Sequence, residues 1–255
     1  MLDYIFVTLI TIASIVFGVV GTLLIRKKFG HEHLSRHNEI AGFIYAVIGV
    51  IYAVLIAFVV IVVWENHQEA HSIVEHEANS ISAIQALSQG FNDDYNNKLN
   101  TALNEYLKQT VNVDWKLMKS GESLKKIKEK PSDASFARLR DLIYSYQAIS
   151  PKEEILMDKL VDKLEELAEN RRMRFFSSKL SVPGFMWFVL LIGAFWIVVF
   201  AMLFSSTNLW AQLIMISILS ASISLVLILV FAMNHPYYGL INVEADSLIN
   251  LIGNG

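Results

Sequence analysis

Four long apolar segments, separated by polar stretches, dominate the hydrophobic pattern along the chain. They cover about residues 2–25, 40–64, 182–204 and 210–233. Each contains roughly 20–25 residues, which is enough for a helix to cross about 30 Å of hydrocarbon. None of them carries an Asp, Glu, Lys, Arg or His side chain in its middle. The pattern therefore predicts four transmembrane helices.

The polar stretch between the second and third segments predicts a helical domain. Its apolar residues recur every three or four positions, and Ser150, Pro151 and Glu153 form a helix-start pattern. No proline lies between residues 40 and 89, so the second membrane helix is expected to continue into the domain as one long helix. The last helix of the domain is expected to continue into the third membrane helix in the same way.

The predicted fold is an all-α membrane protein with four transmembrane helices and a helical-bundle domain inserted between the second and the third. Residues 1–64 hold the first two membrane helices, and residues 181–234 hold the last two. The domain covers residues 65–180, with a lysine-containing loop predicted at 119–132. Residues 235–255 are too short to span a membrane. We expect them to form a C-terminal tail that is either interfacial or packed against the stalk formed by the long helices of the domain.

The composition agrees with a membrane protein. Hydrophobic residues make up 54% of the chain and charged residues 18%, and the formal net charge is -3. So small a net charge gives no indication of a nucleic-acid partner, and none is expected. The chain contains no Cys, which excludes disulfides, thiolate metal sites and cysteine nucleophiles. The expected partners are the lipid bilayer, inorganic ions and further copies of the chain, and no cofactor is expected.

Basic residues give two conflicting indications of orientation. The short loop between the first two membrane helices carries Arg26, Lys27, Lys28 and Arg36, whereas the N-terminus and the C-terminal tail carry no Lys or Arg. This asymmetry places the loop in the cytoplasm and the domain outside. The basic residues before the third membrane helix favour the opposite orientation: Arg171, Arg172, Arg174 and Lys179. Long loops count less in this rule, so we expect an extracytoplasmic domain.

Small residues form one face of the second membrane helix. They recur at helical spacing, and two tyrosines seven residues apart flank them: Gly42, Ala46, Gly49, Ala53 and Ala57, with Tyr45 and Tyr52. Small residues let helix backbones approach closely in lipid. The face is therefore expected to pack inside the chain, to meet its copies around a symmetry axis, or to line a narrow apolar constriction.

Three serines lie on one face of the fourth membrane helix. Ser217, Ser220 and Ser224 are spaced at i, i+3 and i+7. Their hydroxyl groups can hydrogen-bond within the helix or to a neighbouring helix. The alternative is that they coordinate permeating ions or water.

The start of the domain is rich in acidic residues and histidines. Its carboxylates would attract cations if several copies of the chain surrounded an axis. They belong to Glu65, Glu69, Glu75 and Glu77. His67, His71 and Glu75 are spaced at i, i+4 and i+8, so they could share a metal ion, although they lack the order of the zinc-peptidase motif. The alternative for each residue is a solvated helix face.

Short fragments across the chain resemble one known family. They are His31-Glu32, Trp64, Val74, Glu77-Ala78, Tyr106, Trp115, Arg171, Arg174, Pro236 and Gly239. Their order resembles the bestrophin-like membrane proteins of bacteria, archaea and plants. The resemblance implies an ion channel, because bestrophins are pentameric anion channels. It also favours the inner membrane of a bacterium as the location.

These observations lead to two hypotheses about function. The first is a homo-oligomeric ion channel, with the second membrane helix around the pore and the acidic stretch at its mouth, which would prefer cations. The second is a non-conducting membrane sensor or scaffold whose helical domain binds a partner protein. An enzyme is not expected, because the sequence contains no nucleophile–base pair or phosphate-binding loop.

Overall fold

A computed structural model of the chain describes residues 2–120 and 132–252, and all of their regular structure is helical. The helices are α1 (Leu2–Phe29), α2 (His31–Ser35), α3 (Asn38–Ser88), α4 (Asp93–Gln109), α5 (Trp115–Lys119), α6 (Asp133–Tyr144), α7 (Pro151–Ser177), α8 (Gly184–Met202), α9 (Leu209–Met233) and α10 (Asp246–Ile249). A π-helical turn, Thr110–Asp114, joins α4 to α5. Most of the loop predicted at 119–132 lies outside the described residues.

The contacts divide the chain into two compact units. The membrane unit consists of Met1–Trp64 and Ser181–Asn234, and the domain unit consists of Glu65–Leu180 and His235–Gly255. Among the described residues, four helices are long and apolar enough to cross a membrane: α1, α3, α8 and α9.

Inside the membrane unit, close packing occurs where small residues meet larger ones. A Cβ atom at Gly18 of α1 would lie 2.5 Å from the Ser220 Oγ of α9, and one at Gly193 of α8 would lie 2.8 Å from the Tyr52 ring of α3. The Tyr52 hydroxyl donates a hydrogen bond to the Leu190 carbonyl at 3.1 Å. Glycine therefore permits the close approach of α1 to α9 and of α3 to α8.

The second membrane helix continues without a break, as the sequence predicts, because α3 is one helix of 51 residues. The prediction that the third does the same is wrong. Helix α7 ends at Ser177, and α8 begins at Gly184. Between them, Pro183 is extended, with φ −55° and ψ 141°. Proline also disfavours helical backbone in Val182, which donates its N–H to the Asn234 Oδ1 at 2.7 Å.

The domain unit buries one apolar core. Side chains from α3, α4, α6 and α7 form its centre, all fully buried: Ile81, Ile84, Leu99, Leu103, Leu139, Ile143 and Leu160. The helix start predicted at Ser150 is confirmed, because the Ser150 Oγ accepts the Glu153 N–H at 3.3 Å. In the same way, the Asn92 Oδ1 caps α4 by accepting the Tyr95 N–H at 2.9 Å.

The C-terminal tail packs into this core. Tyr237, Val243 and Leu248 are buried among the core residues of the domain unit. The Val243 N–H donates to the Pro236 carbonyl at 2.7 Å, which closes the turn that begins the tail. The apolar side chains of the tail therefore cover the domain core.

Candidate functional site

The two tyrosines of α3 form its packing face inside the membrane unit. Tyr52 is 8% exposed, and its ring packs against α8. The ring of Tyr45 stacks on Phe200, with centroids 5.7 Å apart, and meets Phe204 edge-on at 5.5 Å. One side of α3 therefore packs firmly within a single chain.

The small-residue face of α3 does not share that packing. Ala46, Ala53 and Ala57 are exposed. A Cβ atom at Gly49 would meet no described atom within 4 Å, and one at Gly42 would meet only Phe204, at 4.0 Å. Packing inside one chain therefore does not account for this face.

The serines of α9 have different environments. The Ser217 hydroxyl donates to the Leu213 carbonyl of its own helix at 2.7 Å. Ser220 and Ser224 are buried, and their hydroxyl groups lack a hydrogen-bond partner among the described residues. The Ser220 carbonyl accepts from the Ser14 hydroxyl of α1 at 3.1 Å. Ser220 therefore lies in the contact of α1 with α9.

The four carboxylates of the acidic stretch do not share one environment. Glu65, Glu69 and Glu75 are exposed, whereas Glu77 is fully buried. The helix therefore does not present all four carboxylates on one surface.

The histidines beside these carboxylates do not come together as metal ligands. The His71 Nδ1 lies 3.6 Å from the Glu75 carboxylate. Burial, and then the nearby His71, lower the pKa of His67. The described residues contain no group of three or more His, Asp or Glu side chains placed to hold a metal ion.

The buried carboxylate of Glu77 belongs to an ion-pair cluster in the domain unit. The Arg174 Nε donates to the Glu77 Oε2 at 2.6 Å, and its NH2 group lies 3.3 Å from the Oε1. The Tyr106 hydroxyl donates to the same carboxylate. The Asp114 Oδ2 lies 3.5 Å from the Arg174 NH2 group. All four side chains are fully buried, and the one guanidinium group of Arg174 faces the carboxylates of both Glu77 and Asp114.

A second arginine extends the cluster towards the start of α6. The Asp114 Oδ2 accepts the Ser132 hydroxyl at 2.5 Å. Arg171 donates from its NH2 group to the Ser132 Oγ at 2.8 Å, and it pairs with the Asp133 carboxylate. The cluster therefore ties α3, α4, the π-helical turn, α6 and α7 to one another.

Aromatic rings surround the guanidinium group of Arg174. It lies 4.7 Å from the Phe175 ring and 5.7 Å from the Trp115 ring. The Trp115 ring meets the ring of Tyr237 edge-on at 5.7 Å, and the Tyr237 hydroxyl lies 3.2 Å from the Ser177 Oγ. The tail residue Tyr237 thus completes the wall of the cluster.

The cluster shifts the proton affinities of its members. Burial, and then the charge of Glu77, raise the pKa of Tyr106 well above its ordinary value. Burial alone would lower the pKa of Arg174, but Glu77, Tyr106 and Asp114 raise it. Burial raises the pKa of Tyr237 to about 12. Tyr106 therefore stays protonated as a donor at neutral pH.

The fragments that carry the family resemblance have separate places. Arg171, Arg174, Glu77, Tyr106 and Trp115 meet in the ion-pair cluster. Pro236 and Gly239 lie in the turn that begins the tail, where the Gly239 N–H donates to the His235 carbonyl at 3.1 Å. Trp64 and Glu32 are exposed.

His31 belongs to a polar cluster in the membrane unit. Its Nδ1 lies 2.9 Å from the Ser205 Oγ. The Asn38 Nδ2 donates to the Ser205 carbonyl at 2.7 Å, and the Arg26 NH1 group donates to the Gln212 Oε1 at 2.7 Å. These contacts fix the loop after α8 against α2 and the start of α3.

Sequence reasoning did not identify Asp114, Ser132, Tyr237 or Gln212 as members of these clusters. The hydrophobic pattern held one indication of the ion-pair cluster. Glu77 lies in an apolar stripe with Ala70, Val74, Ile81 and Ile84, spaced at three and four residues. A carboxylate in such a stripe requires a buried cationic partner.

An all-helical membrane protein with a buried ion-pair cluster is the class that this geometry defines. The chain belongs to the bestrophin-like family, because the family model of the Bestrophin-like domain matches residues 12–248. The resemblance seen in the sequence is thereby confirmed. No curated protein matches the chain.

Solved structures share the fold. The crystal structure of a bacterial bestrophin homologue from Klebsiella pneumoniae, carrying one mutation, matches with a TM-score of 0.69 and 12% identity over 96% of this chain and 99% of that chain. Crystal structures of two point variants of a membrane protein match with TM-scores of 0.66 and 0.65 and identities of 12% and 13%. They cover 96% and 94% of this chain, and 99% and 97% of their own.

Proposed function

We propose that the chain assembles into a homo-oligomeric ion channel in which α3 lies next to the pore. The observation that carries the proposal is the division of α3 into two faces. Tyr45 and Tyr52 pack within the chain, whereas Ala46 and Ala53 are exposed. A small-residue face left unpacked by its own chain suits contact with other copies around an axis.

The charge distribution of the membrane helices suits an apolar pore. The middle of each of the four apolar segments lacks ionisable residues. Ion-coupled transporters usually place such residues near the middle of the bilayer. A channel whose apolar constriction gates by dewetting needs no such group. Membership in the bestrophin-like family adds support for an ion channel in general.

The cation preference suggested by the acidic stretch is not part of this proposal. Glu77 is neutralised by Arg174 inside the domain unit and cannot face permeating ions. Only Glu65, Glu69 and Glu75 remain exposed, and Glu75 lies near His71. The family resemblance points towards anions, so selectivity has to be measured by reversal potential.

The proposed location is a bacterial inner membrane, with the domain outside the cytoplasm. The basic loop at residues 26–39 supports this orientation. Arg171 and Arg174 argued against it, but both have a structural role in the ion-pair cluster. Labelling Lys152→Cys in intact cells with a membrane-impermeant thiol reagent tests the orientation. Protection of Lys152→Cys together with labelling of Lys27→Cys would show the opposite orientation, with the domain in the cytoplasm.

Cysteine cross-linking tests the assembly, because the chain contains no native Cys. We expect Ala46→Cys or Ala53→Cys to give disulfide-linked dimers of the chain under oxidation, since a disulfide needs Cα atoms about 4.4–6.8 Å apart. Ile218→Cys, at a position of α9 that is 62% exposed, is the control and should stay monomeric. A monomeric particle without cross-links at either α3 position would favour the sensor or scaffold hypothesis.

Conductance tests the pore. Purified protein in planar bilayers should carry current, and a charged thiol reagent should change that current in Ala53→Cys but not in Ile218→Cys. An oligomer that stays silent at all voltages, pH values and divalent-ion concentrations would refute the channel. Equal reagent effects at both positions would refute the placement of α3 beside the pore.

A further inference from the structure

A cavity lies at the end of the membrane unit that carries the short basic loop. It lies between α3, α8 and α9, and its volume is about 480 Å³. Apolar and aromatic side chains form most of its wall, and Asn38, Ser206 and Gln212 lie at its polar side. Pockets that bind small ligands typically measure about 300–1,000 Å³ and combine apolar walls with a few polar groups.

The guanidinium group of Arg26 is fixed beside this cavity. Its NH1 group donates to the Ser206 carbonyl at 2.8 Å and to the Gln212 Oε1 at 2.7 Å. Gln212 is 5% exposed, and its Nε2 donates to the Phe204 carbonyl at 2.6 Å, so its amide is held in place. Two residues of the cavity wall therefore position the charged group.

The charge of Arg26 has no acidic counterpart among residues 4–120 and 132–252, because no carboxylate there lies within salt-bridge distance of it. Lys27 and Lys28 follow it in the last turn of α1 and are exposed. A partly buried guanidinium without a counterion favours an anionic ligand.

The wall opposite the polar side has room for a hydrocarbon chain. A Cβ atom at Gly42 would meet only the Phe204 ring, at 4.0 Å, and Tyr45, Met215 and Leu219 continue the apolar lining. The Tyr45 hydroxyl makes no hydrogen bond to any described residue. The cavity thus places an apolar volume next to a fixed positive charge at the end of the membrane helices.

We propose that this cavity binds an anionic phospholipid. The phosphate lies against Arg26, and one acyl chain occupies the space beside Gly42. Basic pockets between membrane helices are suited to anionic headgroups. Charge favours an anionic over a neutral lipid, and the apolar wall favours a lipid over free phosphate.

The test uses the full-length protein in a neutral detergent. Thermal shift and native mass spectrometry are recorded with phosphatidylglycerol, with phosphatidylcholine of the same acyl chains, and with inorganic phosphate. We expect only phosphatidylglycerol to raise the melting temperature and to remain bound. Equal stabilisation by phosphatidylcholine, or stabilisation by inorganic phosphate alone, would overturn the proposal.

Two variants distinguish a specific role of the Arg26 charge from nonspecific attraction by the basic residues. Arg26→Gln should weaken phosphatidylglycerol binding about tenfold or more, as expected for the loss of a charge-assisted hydrogen bond. Lys28→Gln removes the same charge from an exposed position and should have a much smaller effect. Equal losses in the two variants would show nonspecific attraction and overturn the site.

A second pair of variants tests the cavity by filling it. Gly42→Leu should reduce phosphatidylglycerol binding, whereas Gly42→Ala should leave it nearly unchanged, because a single methyl group fits in the available space. The oligomer mass is measured for both variants, since Gly42 also belongs to the small-residue face. Unchanged lipid binding in a Gly42→Leu protein of wild-type mass would overturn the proposal. Lost binding at wild-type mass supports it.

Discussion

Replacing Arg174 with Met should strongly destabilise the domain unit. Methionine keeps much of the side-chain length and loses the charge and all the donors. Glu77 would keep its hydrogen bond from Tyr106 but would lose the cation that compensates its charge. Asp114 would lose the same cation at 3.5 Å.

The magnitude follows from the burial of the pair. Both Arg174 and Glu77 are 0% exposed, so water cannot replace the lost partner. Removing one partner of a buried ion pair typically costs about 3–5 kcal/mol. A change of 1 kcal/mol shifts the melting temperature by about 2–4 °C for a unit of this size. The variant should therefore melt roughly 6–20 °C below the parent protein.

The assay is thermal unfolding in detergent followed by tryptophan fluorescence. Trp115 is the only tryptophan of the domain unit, and it lies against the guanidinium group of Arg174. Arg172→Gln is the control on the same helix. Arg172 is exposed and, among the described residues, pairs only with Glu169 one turn away, so its loss should cost about 0.5 kcal/mol or less.

A double variant checks the reasoning behind the magnitude. Glu77→Gln combined with Arg174→Met leaves no uncompensated charge between these two positions, so its cost should be well below the sum of the single costs. Additive costs, or a shift of less than about 2 °C for Arg174→Met, would mean that the pair is not buried as described.

Three further predictions follow from other contacts. Ser150→Ala should lower the unfolding free energy by about 1 kcal/mol through loss of the α7 cap, measured by thermal unfolding, whereas an unchanged value would contradict the cap. Gly193→Leu should cost about 1–3 kcal/mol because its side chain would collide with the Tyr52 ring, and a stability equal to that of the parent would contradict the contact. Burial raises the pKa of Tyr237 to about 12, so the native state keeps a proton between pH 10 and 12 that the unfolded state loses. Stability should therefore fall as pH rises through this range, less steeply in Tyr237→Phe, and equal slopes would refute the assignment.

Local patterns were sufficient to predict most of the helices. The cap at Ser150 and the continuity of α3 depend on residues close together in sequence, and both appear in the structure. The break before α8 was also visible in part, because Pro183 stands at its start. The prediction of a continuous helix is wrong there because Pro183 restricts the backbone of Val182.

Contacts between distant residues could not be read from periodicity. Glu75 and Glu77 are two residues apart and therefore project from nearly opposite sides of a helix with 3.6 residues per turn. Composition counts both as acidic, yet only Glu77 meets Arg174, 97 residues away in sequence. The two alternatives for the tail could not be separated for the same reason, because its apolar residues suit a membrane interface and a protein core equally well until Tyr237 is located.

The two faces of α3 show which part of the sequence-based hypothesis the structure strengthens. A small-residue stripe alone is equally suited to packing within a chain and to packing between chains. Its tyrosine neighbours separate these alternatives, because Tyr52 already occupies the contact with α8 while Ala53, the next residue, is exposed. If the stripe packed within the chain, Ala53 would be covered. The exposed stripe is therefore free to contact either lipid or another copy of the chain, and cross-linking at Ala53→Cys distinguishes these two alternatives directly.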